Sequence, residues 1–436
     1  MKEPKILVSP PGPEAKKCME RWKVCSTKSP GNTIFSRGEG IYVWDLDGNV
    51  YLDFASQTTN VGHKNLTILS AVRKQLDKSG VSRIHGATLP QIELMEKIKE
   101  IVTSGLSKGK FYFCNTGSEA TEYAMELARA YTNKSILIAY LGGHYGWTIG
   151  ALSLTADRSE YRRFCLPLIP NIVHVPYPYC YRCPFSQKYP DCNLICLEHI
   201  QYILDTVAHP DEVAAIFIEP VQQVGGVVPP PKEYFPRLKK LCEENEILMV
   251  DDEVATGFGR TGKMFGIEHW NVDPDMMYMG KAFANGIQMA GIIAREGIME
   301  KEPYFPLARQ RGLISCVSAI ATIEEIQKNN LVKNSAEVGE HMIKRLKEIS
   351  EEHKLIGDVR GKGLLIGIEL VKDRESKKPA MEDSKRVVLE AFKRGLLIGC
   401  IGTYKQVIRL TPPLILSIEE SDKAIDILDE SIKEIE

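Results

Sequence analysis

The sequence predicts an α/β protein that has a large domain with a mostly parallel sheet flanked by helices, plus a smaller α+β domain. Short apolar runs alternate with longer patterns of helical period through the middle of the chain, which is typical of a sheet covered by helices on both faces. A chain of 436 residues is too long for one simple core and usually divides into about two domains. Strand-like segments after the last long helical pattern indicate the second domain.

The predicted elements follow in chain order. IYVWDLDGNVYLDF (41–54) is typical of a hairpin with Asp-Gly at its turn. GKFYFCNTGSEATEYAMELARAYT (109–132) starts with a short strand, Phe111 to Cys114, and passes through a turn into an amphipathic helix. AAIFIEPV, ILMVDDEV and DMMYMGK are further short strands that end at polar or small residues. One long charged helix is predicted from about Ala319 to Glu352, and GLLIGIELV and QVIRLTPPL are strands of the smaller domain.

Charge and composition favour small-molecule chemistry. The chain has 55 Lys and Arg residues against 57 Asp and Glu, a formal net charge of -2, so no bulk charge points to nucleic acid or to an anionic membrane. The N-terminal MKEPKILVSPPGPEAKK has no apolar core of signal-peptide length, and no stretch approaches about 18 uncharged apolar residues. We therefore expect a cytoplasmic protein without nucleic-acid or membrane partners.

Four of the eleven cysteines are clustered in PYPYCYRCPFSQKYPDCNLICLEH, at Cys180, Cys183, Cys192 and Cys196. The CxxC and CxxxC spacing suits a tetrahedral zinc site, and it also suits disulfides of the kind that hyperthermophiles keep inside the cell. Buried or idle thiols in a surface loop rich in Tyr and Pro are the third interpretation. The sequence leaves all three open.

The segment NTGSEATE (115–122) lies between a predicted strand and its helix. Gly117 and Ser118 would present unpaired backbone N–H groups and a hydroxyl at the helix N-terminus, which is a binding site for phosphate. The alternative is an ordinary capping box, in which Ser118 and nearby glutamates begin the helix.

Two later strands end at an acidic pair and at a lysine. A partly buried carboxylate persists only if it is paired or hydrogen-bonded. One of Asp251 and Asp252 in VDDEVATGFGRTG is a candidate for such a partnered carboxylate. The alternative is a helix cap or a solvated turn. Lys281 lies 29 residues after Asp252 (281 minus 252), among Met, Tyr, Ala and Phe side chains. Such surroundings lower a lysine pKa from its reference of about 10.4. A lysine of this kind is a nucleophile for carbonyls.

A phosphate site, a partnered carboxylate and a nucleophilic lysine together point to pyridoxal 5'-phosphate as cofactor. Lys281 would hold it as a Schiff base, the aspartate would keep its ring nitrogen protonated, and the helix N-terminus would anchor its phosphate. The rival class is a nucleotide-dependent enzyme or a binding protein without catalysis. It is disfavoured because no GxGxxG directly follows a strand and GxxxxGK[ST] does not occur.

These residues resemble the class III aminotransferases of the fold type I pyridoxal phosphate enzymes. The resemblance spans nearly the whole chain, from GEGIYVWDLDGNVYLDF through NTGSEATE, IEPVQQVGGVVPP and DDEVATGFGRTGKMFGIEHWNVDPD to the lysine and RLTPPL. It implies a large cofactor-binding domain at residues 76–325 and a small domain formed by residues 326–436 with the N-terminal segment 1–75. It also implies a homodimer or a dimer of dimers with active sites at the subunit interface.

The resemblance assigns roles by motif position. Lys281 corresponds to the Schiff-base lysine and Asp252 to the carboxylate under the pyridine nitrogen. Val254 and His144 would pack on opposite faces of the ring, and the family usually has a tyrosine or phenylalanine at the histidine position. The other assigned residues are Gly117 and Ser118 for the phosphate, Glu219 as an active-site glutamate and Arg409 as the clamp for a substrate carboxylate.

Two departures from the family pattern bear on the substrate. Ala255 stands where a glutamine is common, as it does in some members. In Gln223-Val224-Gly225-Gly226 the family often has a glutamate that masks the distant arginine. Because that glutamate is missing, Arg409 should remain free to bind a carboxylate by a bidentate contact.

A third departure concerns the partner subunit. The family commonly takes a threonine from the partner to bind the phosphate, but PLARQRGLISCVSA (306–319) lacks it and has Ala308 or a neighbour in its place. Arg309 or Arg311 is the candidate for the positive charge.

The resemblance implies transfer of an amino group from an amino acid, or from an omega-amine such as 4-aminobutyrate or ornithine, to a keto acid such as 2-oxoglutarate or pyruvate. Freed Lys281 is the natural acid and base for the substrate proton. Return of that proton to the other face would make a racemase or epimerase, the alternative within the family. The substrate pocket would draw on SQTTNVGH (56–63), His85 and the turn from His144 to Trp147.

Overall fold

The computed structural model describes residues 3–80, 86–301 and 312–436. His85, Ala308, Arg309 and Arg311 lie outside the described residues. The described strands are β1 (Phe35–Glu39), β2 (Tyr42–Asp45), β3 (Val50–Asp53), β4 (Lys110–Cys114), β5 (Ile136–Tyr140), β6 (Ile172–Val175), β7 (Val213–Ile218), β8 (Leu248–Asp252), β9 (Met276–Met279), β10 (Ala290–Ala294), β11 (Ile356–Lys362), β12 (Leu365–Leu370), β13 (Leu396–Leu397), β14 (Gly399–Ile401) and β15 (Val407–Leu410).

Helices cover both faces of the central sheet, and further helices lie in the N-terminal and C-terminal parts of the chain. Those in the described ranges are α1 (Pro13–Cys25), α2 (Leu66–Ser79), α3 (Leu89–Ile101), α4 (Gly117–Thr132), α5 (Ile149–Leu154), α6 (Ser159–Arg162), α7 (Ile195–Thr206), α8 (Tyr234–Glu244), α9 (Leu313–Lys328), α10 (Leu331–Ser350), α11 (Met381–Lys393) and α12 (Ile418–Lys433). Among the residues with a described position, no helix is long and apolar enough to cross a membrane.

The central sheet has seven strands in the order β4-β10-β9-β8-β7-β5-β6. Strands β9, β8, β7, β5 and β6 are parallel, and β10 is antiparallel to both of its neighbours. Every residue of β7, β8 and β9 is buried, as expected for parallel strands that have helices on both faces. The predicted α/β class with a mostly parallel sheet is therefore confirmed.

Two four-stranded sheets form the smaller part of the fold. One has the order β1-β2-β3-β13 and contains the predicted hairpin, which is formed by β2 and β3; the other is antiparallel, in the order β11-β12-β15-β14. The short strand β13 pairs in parallel with β3, so a strand from the last fifty residues completes a sheet that begins in the first fifty. The prediction that both chain ends build this part is confirmed, whereas the domain limits at residues 75 and 325 stay a prediction.

The prediction of one long helix from Ala319 to Glu352 is wrong, because the chain breaks into α9 and α10 at Asn329 and Asn330. Asn330 has φ of 52°, and asparagine enters this left-handed region more easily than other residues with a side chain. The apolar spacing continues across the break, since α10 buries Leu331, Val338, Met342 and Leu346 at helical intervals. Hydrophobic period alone therefore cannot reveal the break.

A buried carboxylate joins the cysteine-rich loop to the antiparallel sheet. Glu369 of β12 is 0% exposed and accepts hydrogen bonds from Arg360 at 2.7 Å and Gln406 at 3.1 Å, as well as from Tyr179 and Arg182. These donors offset the cost of burying the charge, which is large for an isolated ion.

We expect Glu369→Ala to lower the free energy of unfolding by about 3 kcal/mol, because it takes a fully buried carboxylate away from the partly buried guanidinium groups of Arg182 and Arg360. Denaturant titration measures this loss. Glu337→Ala is the control, since its pairing with Lys333 is on the surface and should be worth less than about 1 kcal/mol. Equal effects of the two substitutions would contradict the structural role of Glu369.

Candidate active site

A cavity of about 200 Å³ lies where the strands of the central sheet end. The carboxyl ends of parallel strands meet at one edge of a sheet, which is where α/β proteins bind ligands. Strands β4, β5, β7, β8 and β9 all deliver residues to this edge. Seven of the sequence-predicted residues line the cavity: Gly117, Ser118, His144, Glu219, Asp252, Val254 and Lys281.

The N-terminus of α4 forms one wall of the cavity. Thr116 is the N-cap, because its hydroxyl accepts a hydrogen bond from the Glu119 N–H at 3.2 Å. The predicted alternative of Ser118 as the cap is therefore wrong, and its hydroxyl instead accepts from the Trp147 N–H at 3.0 Å. A Cβ added at Gly117 would lie 3.2 Å from a Val254 methyl group, so any larger residue would crowd the approach to the helix N-terminus.

Asp252 ends β8 and its carboxylate faces the cavity, only 4% exposed. It accepts hydrogen bonds from the Val254 N–H at 2.9 Å and the Tyr278 hydroxyl at 2.8 Å. Burial raises the Asp252 pKa to about 6, although both hydrogen bonds and the Lys281 ammonium oppose this shift. Asp251 does not line the cavity, because successive side chains of a strand point to opposite faces.

Lys281 follows β9 after Gly280 and begins a short 3-10 helix, Lys281–Ala284. Its φ of 44° is uncommon for a residue with a side chain, and such strain is concentrated at functional sites. Burial lowers the Lys281 pKa to about 8; nearby Arg409 and Arg260 lower it as well, while Asp252 and Glu219 oppose the shift. The amine is therefore far more nucleophilic at neutral pH than an exposed lysine.

Glu219 directly follows β7 and holds two loop segments in place. Its carboxylate accepts from the His144 N–H at 3.1 Å and from the Gln223 N–H at 2.9 Å. Burial raises the Glu219 pKa to about 8, with a further contribution from the charge of Asp252.

The raised pKa values of Glu219 and Asp252 predict a contribution to the stability of the cofactor-free protein that is lost from about pH 5 to pH 8. Glu219 and Asp252 bind protons more tightly when folded than at their ordinary values of 4.5 and 3.8, so stability present at low pH is lost as pH rises through the folded pKa values. Lys281 acts in the opposite sense only above pH 8, since its folded pKa is lowered.

The substitution Glu219→Gln removes one of these two titrating carboxyl groups. Denaturant titration of the wild type and the variant at pH 5, 6, 7 and 8 gives the free energy of unfolding at each pH. This free energy should fall less steeply with pH in the variant, by up to about 1.4 kcal/mol per pH unit. Parallel curves would contradict a raised Glu219 pKa.

Arg409 lies on β15 and is not among the residues that line this cavity. Its Nη2 approaches the Ala55 carbonyl at 3.4 Å, and its Nε is buried without a hydrogen-bond partner among the described residues. Burial lowers the Arg409 pKa to about 10. The guanidinium is close enough to influence Lys281 electrostatically, and it retains an unused donor.

The four clustered cysteines are free thiols. Cys196 is buried, Cys180 is exposed, and Cys183 and Cys192 lie between these extremes. Within residues 3–80, 86–301 and 312–436, no group of three or more Cys, His, Asp or Glu side chains is arranged to hold a metal ion.

Sequence reasoning missed several contributors to the site. Tyr278 is one of them, although its position in β9, directly opposite Asp252 of β8, is a signal that strand alternation offers. Gln223 lines the cavity with both amide atoms buried and without partners in the described part of the chain. Asp157 approaches His144 from the loop after α5, 13 residues further along the chain (157 minus 144), and no local pattern predicts that contact.

Comparison with known proteins gives the family. The profile described as "Aminotransferase class-III" matches residues 25–432. An alanine/serine racemase of Pyrococcus horikoshii is 39% identical over 100% of this chain and 94% of its own length, and a leucine/methionine racemase of Thermococcus litoralis is 39% identical over 90% and 89%. An acetylornithine aminotransferase of Caldanaerobacter subterraneus is 32% identical over 92% of this chain and 94% of its own.

The fold matches as well as the sequence. The crystal structure of a Bacillus anthracis aminotransferase superposes with a TM-score of 0.89 at 29% identity, and the match covers 96% of this chain and 98% of that one. The predicted fold type and the predicted enzyme class, a transaminase, are thereby confirmed. Because the profile matches residues 25–432 of this 436-residue chain, the chain belongs to the class-III aminotransferase family.

Proposed function

We propose that this chain binds pyridoxal 5'-phosphate and moves an amino group from an amino acid or an omega-amine of the 4-aminobutyrate or ornithine type to a keto acid such as 2-oxoglutarate or pyruvate. The observation that carries the proposal is the meeting of Asp252, Lys281 and the N-terminus of α4 in one cavity. No two of these groups are near each other in sequence.

The residues present fit this cofactor. Lys281 supplies an amine with a lowered pKa for its aldehyde, and the N-terminus of α4 with Ser118 supplies donors for its phosphate. Buried Asp252 has a raised pKa, so a cationic ring nitrogen would be a favourable partner for its charge. The group supplies an electron sink that stabilises charge at the substrate carbon that loses its proton.

The chain's own residues would control the proton and the substrate. Lys281 can take the proton of the substrate α-carbon and return it elsewhere, because its pKa lies close to neutral pH. Val254 and His144 line the cavity on the β8 and β5 sides and would hold the ring between them. Arg409 is the proposed clamp for a substrate carboxylate.

A preparation as purified, or after addition of the cofactor, should absorb visible light. Borohydride should fix the cofactor to the peptide that contains Lys281, as mass spectrometry would show. A screen of donors and acceptors should then give keto-acid formation. A protein that stays colourless and takes up no cofactor would overturn the proposal.

An amino-acid racemase is the second candidate, and it is favoured by the 39% identity to the alanine/serine racemase. Racemisation uses the same lysine, but a proton returns to the opposite face of the same carbon with help from a second group. The donor screen should therefore follow optical purity together with keto acid. Loss of optical purity without any keto product would establish the second candidate in place of the first.

Arg409→Lys should raise KM for amino acids about tenfold, because lysine keeps the charge but loses the planar fork that binds a carboxylate through two hydrogen bonds. Steady-state kinetics with an amino acid and with an amine that lacks a carboxylate measure the difference. The amine serves as the control and its KM should be unchanged. A similar rise for both substrates would contradict the clamp.

The expectations of a homodimer and of a cytoplasmic location belong to the same proposal. The resemblance to the family implies active sites at the subunit interface. Analytical ultracentrifugation of the cofactor-loaded protein would test the dimer, and a monomer with full activity would contradict it.

A further inference from the structure

A buried carboxylate next to the cavity, that of Asp157, lacks a hydrogen-bond partner in the part of the chain that the structure describes. Asp157 is 2% exposed, and neither of its carboxylate oxygens has a hydrogen bond among the described residues. Burying an unpaired carboxylate is costly unless another group compensates it. The neighbouring Arg158 does not do so, because its guanidinium donates to the Tyr161 hydroxyl and the Gly402 carbonyl.

The imidazole of His144 is the group that Asp157 faces. Its Nδ1 is 3.7 Å from the Asp157 carboxylate, and this nitrogen is itself buried without a hydrogen bond in the described part of the chain. The distance is too long for a hydrogen bond, yet contacts of this kind are often long in the absence of ligand and tighten when a site is filled. Because Nδ1 faces Asp157, Nε2 is the ring nitrogen outside this contact, and the residue itself lines the cavity.

The two segments that carry this pair are locked together. The Gly142 N–H donates to the Ala156 carbonyl and the Ala156 N–H donates to the Gly143 carbonyl, both at 2.9 Å. The hydroxyl of Thr155 accepts from the Tyr145 N–H at 2.9 Å and from the Gly146 N–H at 3.2 Å. Hydrogen bonds on both sides of the contact hold Asp157 beside His144, so the pair is part of a rigid support and not a chance approach of two mobile side chains.

We propose that Asp157 is a positioning residue for His144, a role that rests on the proposed function because it concerns the same cavity. Asp157 holds the proton of the imidazole on Nδ1, and Nε2 is then the polar ring atom presented to cofactor and substrate. A carboxylate fixes the tautomer and the orientation of an imidazole in the same way in Ser-His-Asp triads. The cavity thus has a second nitrogen that can accept a proton besides the amine of Lys281, and a purely stacking role for His144 would need neither Asp157 nor a ring nitrogen.

The tautomer of His144 tests this role independently of activity. Protein labelled with ¹⁵N-histidine, with and without cofactor, is compared with Asp157→Asn, and the His144 signals are identified by their absence in His144→Phe. We expect the proton on Nδ1 in most wild-type molecules and its shift towards Nε2 in most molecules of the Asn variant. Asp157→Glu, which keeps a carboxylate, should retain the wild-type pattern. Unchanged nitrogen shifts in Asp157→Asn would overturn the proposal, and Asp157→Ser replaces that variant if it does not fold.

Kinetics provide a second readout, because two residues that act as one unit have effects that do not multiply. Asp157→Asn and His144→Phe should each lower kcat, by up to about 100-fold, and the double variant should be no slower than His144→Phe alone. Effects that multiply in the double variant would overturn the proposal. A wild-type protein that binds no cofactor would refute the proposed function instead, and the tautomer of His144 in that protein would still decide the role of Asp157.

Discussion

Lys281→Ala should lower kcat by at least about 10³-fold, because a positioned general acid and base alone contributes about 10²–10⁴-fold and this substitution also removes the nucleophile. The folded state should persist, since the Lys281 amine makes no hydrogen bond or ion pair with the residues that the structure describes. Transamination assays measure the rate, and borohydride treatment followed by mass spectrometry measures covalent attachment of the cofactor. Both signals should disappear together.

Lys362→Ala is the matched control for that experiment. Lys362 is also a lysine whose pKa is lowered by burial, but it lies over the Trp270 ring at 5.4 Å and does not line the cavity. Its replacement should leave kcat within about twofold and cost about 1 kcal/mol of stability at most, the worth of an ordinary cation–π contact. Comparable losses of kcat in both variants would mean that burial of a lysine, and not its place at the end of β9, accounts for the effect.

Much of the site follows from the rule that polar groups after buried strands gather at one edge of a parallel sheet. Glu219, Asp252 and Lys281 each stand directly after, or at the end of, a short apolar run. The rule therefore predicts that these three side chains lie close together. The side-chain period of two also explains why Asp252 reaches the cavity while Asp251 does not. Local patterns were sufficient here because the rule depends only on where each strand ends.

Other parts of the structure depend on contacts that no local pattern contains. Asp157 meets His144 only because reciprocal backbone hydrogen bonds join their two loops. The break between α9 and α10 depends on one asparagine, Asn330, whose backbone is in the left-handed region, while the helical spacing of apolar residues continues across the break. The resemblance assigns Arg409 to the substrate clamp. In the structure this residue lies on β15 of the antiparallel sheet and does not line the cavity.

Asp252→Asn should lower kcat by about 10²–10³-fold, the usual loss when one preorganised electrostatic partner of a developing charge is removed. Asparagine has nearly the same shape and can still accept a hydrogen bond from Val254 or Tyr278, so folding should be preserved. It cannot carry the negative charge that favours a protonated ring nitrogen. Lys281 would remain, and the cofactor should still attach to it; the loss should therefore appear in kcat and in the absorbance of the bound cofactor, but not in borohydride labelling.

Asp251→Asn separates this charge effect from a general effect of substitution at the end of β8. Asp251 is the preceding residue and is equally buried, and burial together with the charge of Glu253 raises its pKa well above the ordinary value. Its side chain does not line the cavity, so a neutral amide of nearly the same shape is a close replacement that should leave kcat nearly unchanged. If the two asparagine variants lose the same activity, the special role of Asp252 is wrong; if only Asp252→Asn does, the charge that faces the cavity is what the reaction requires.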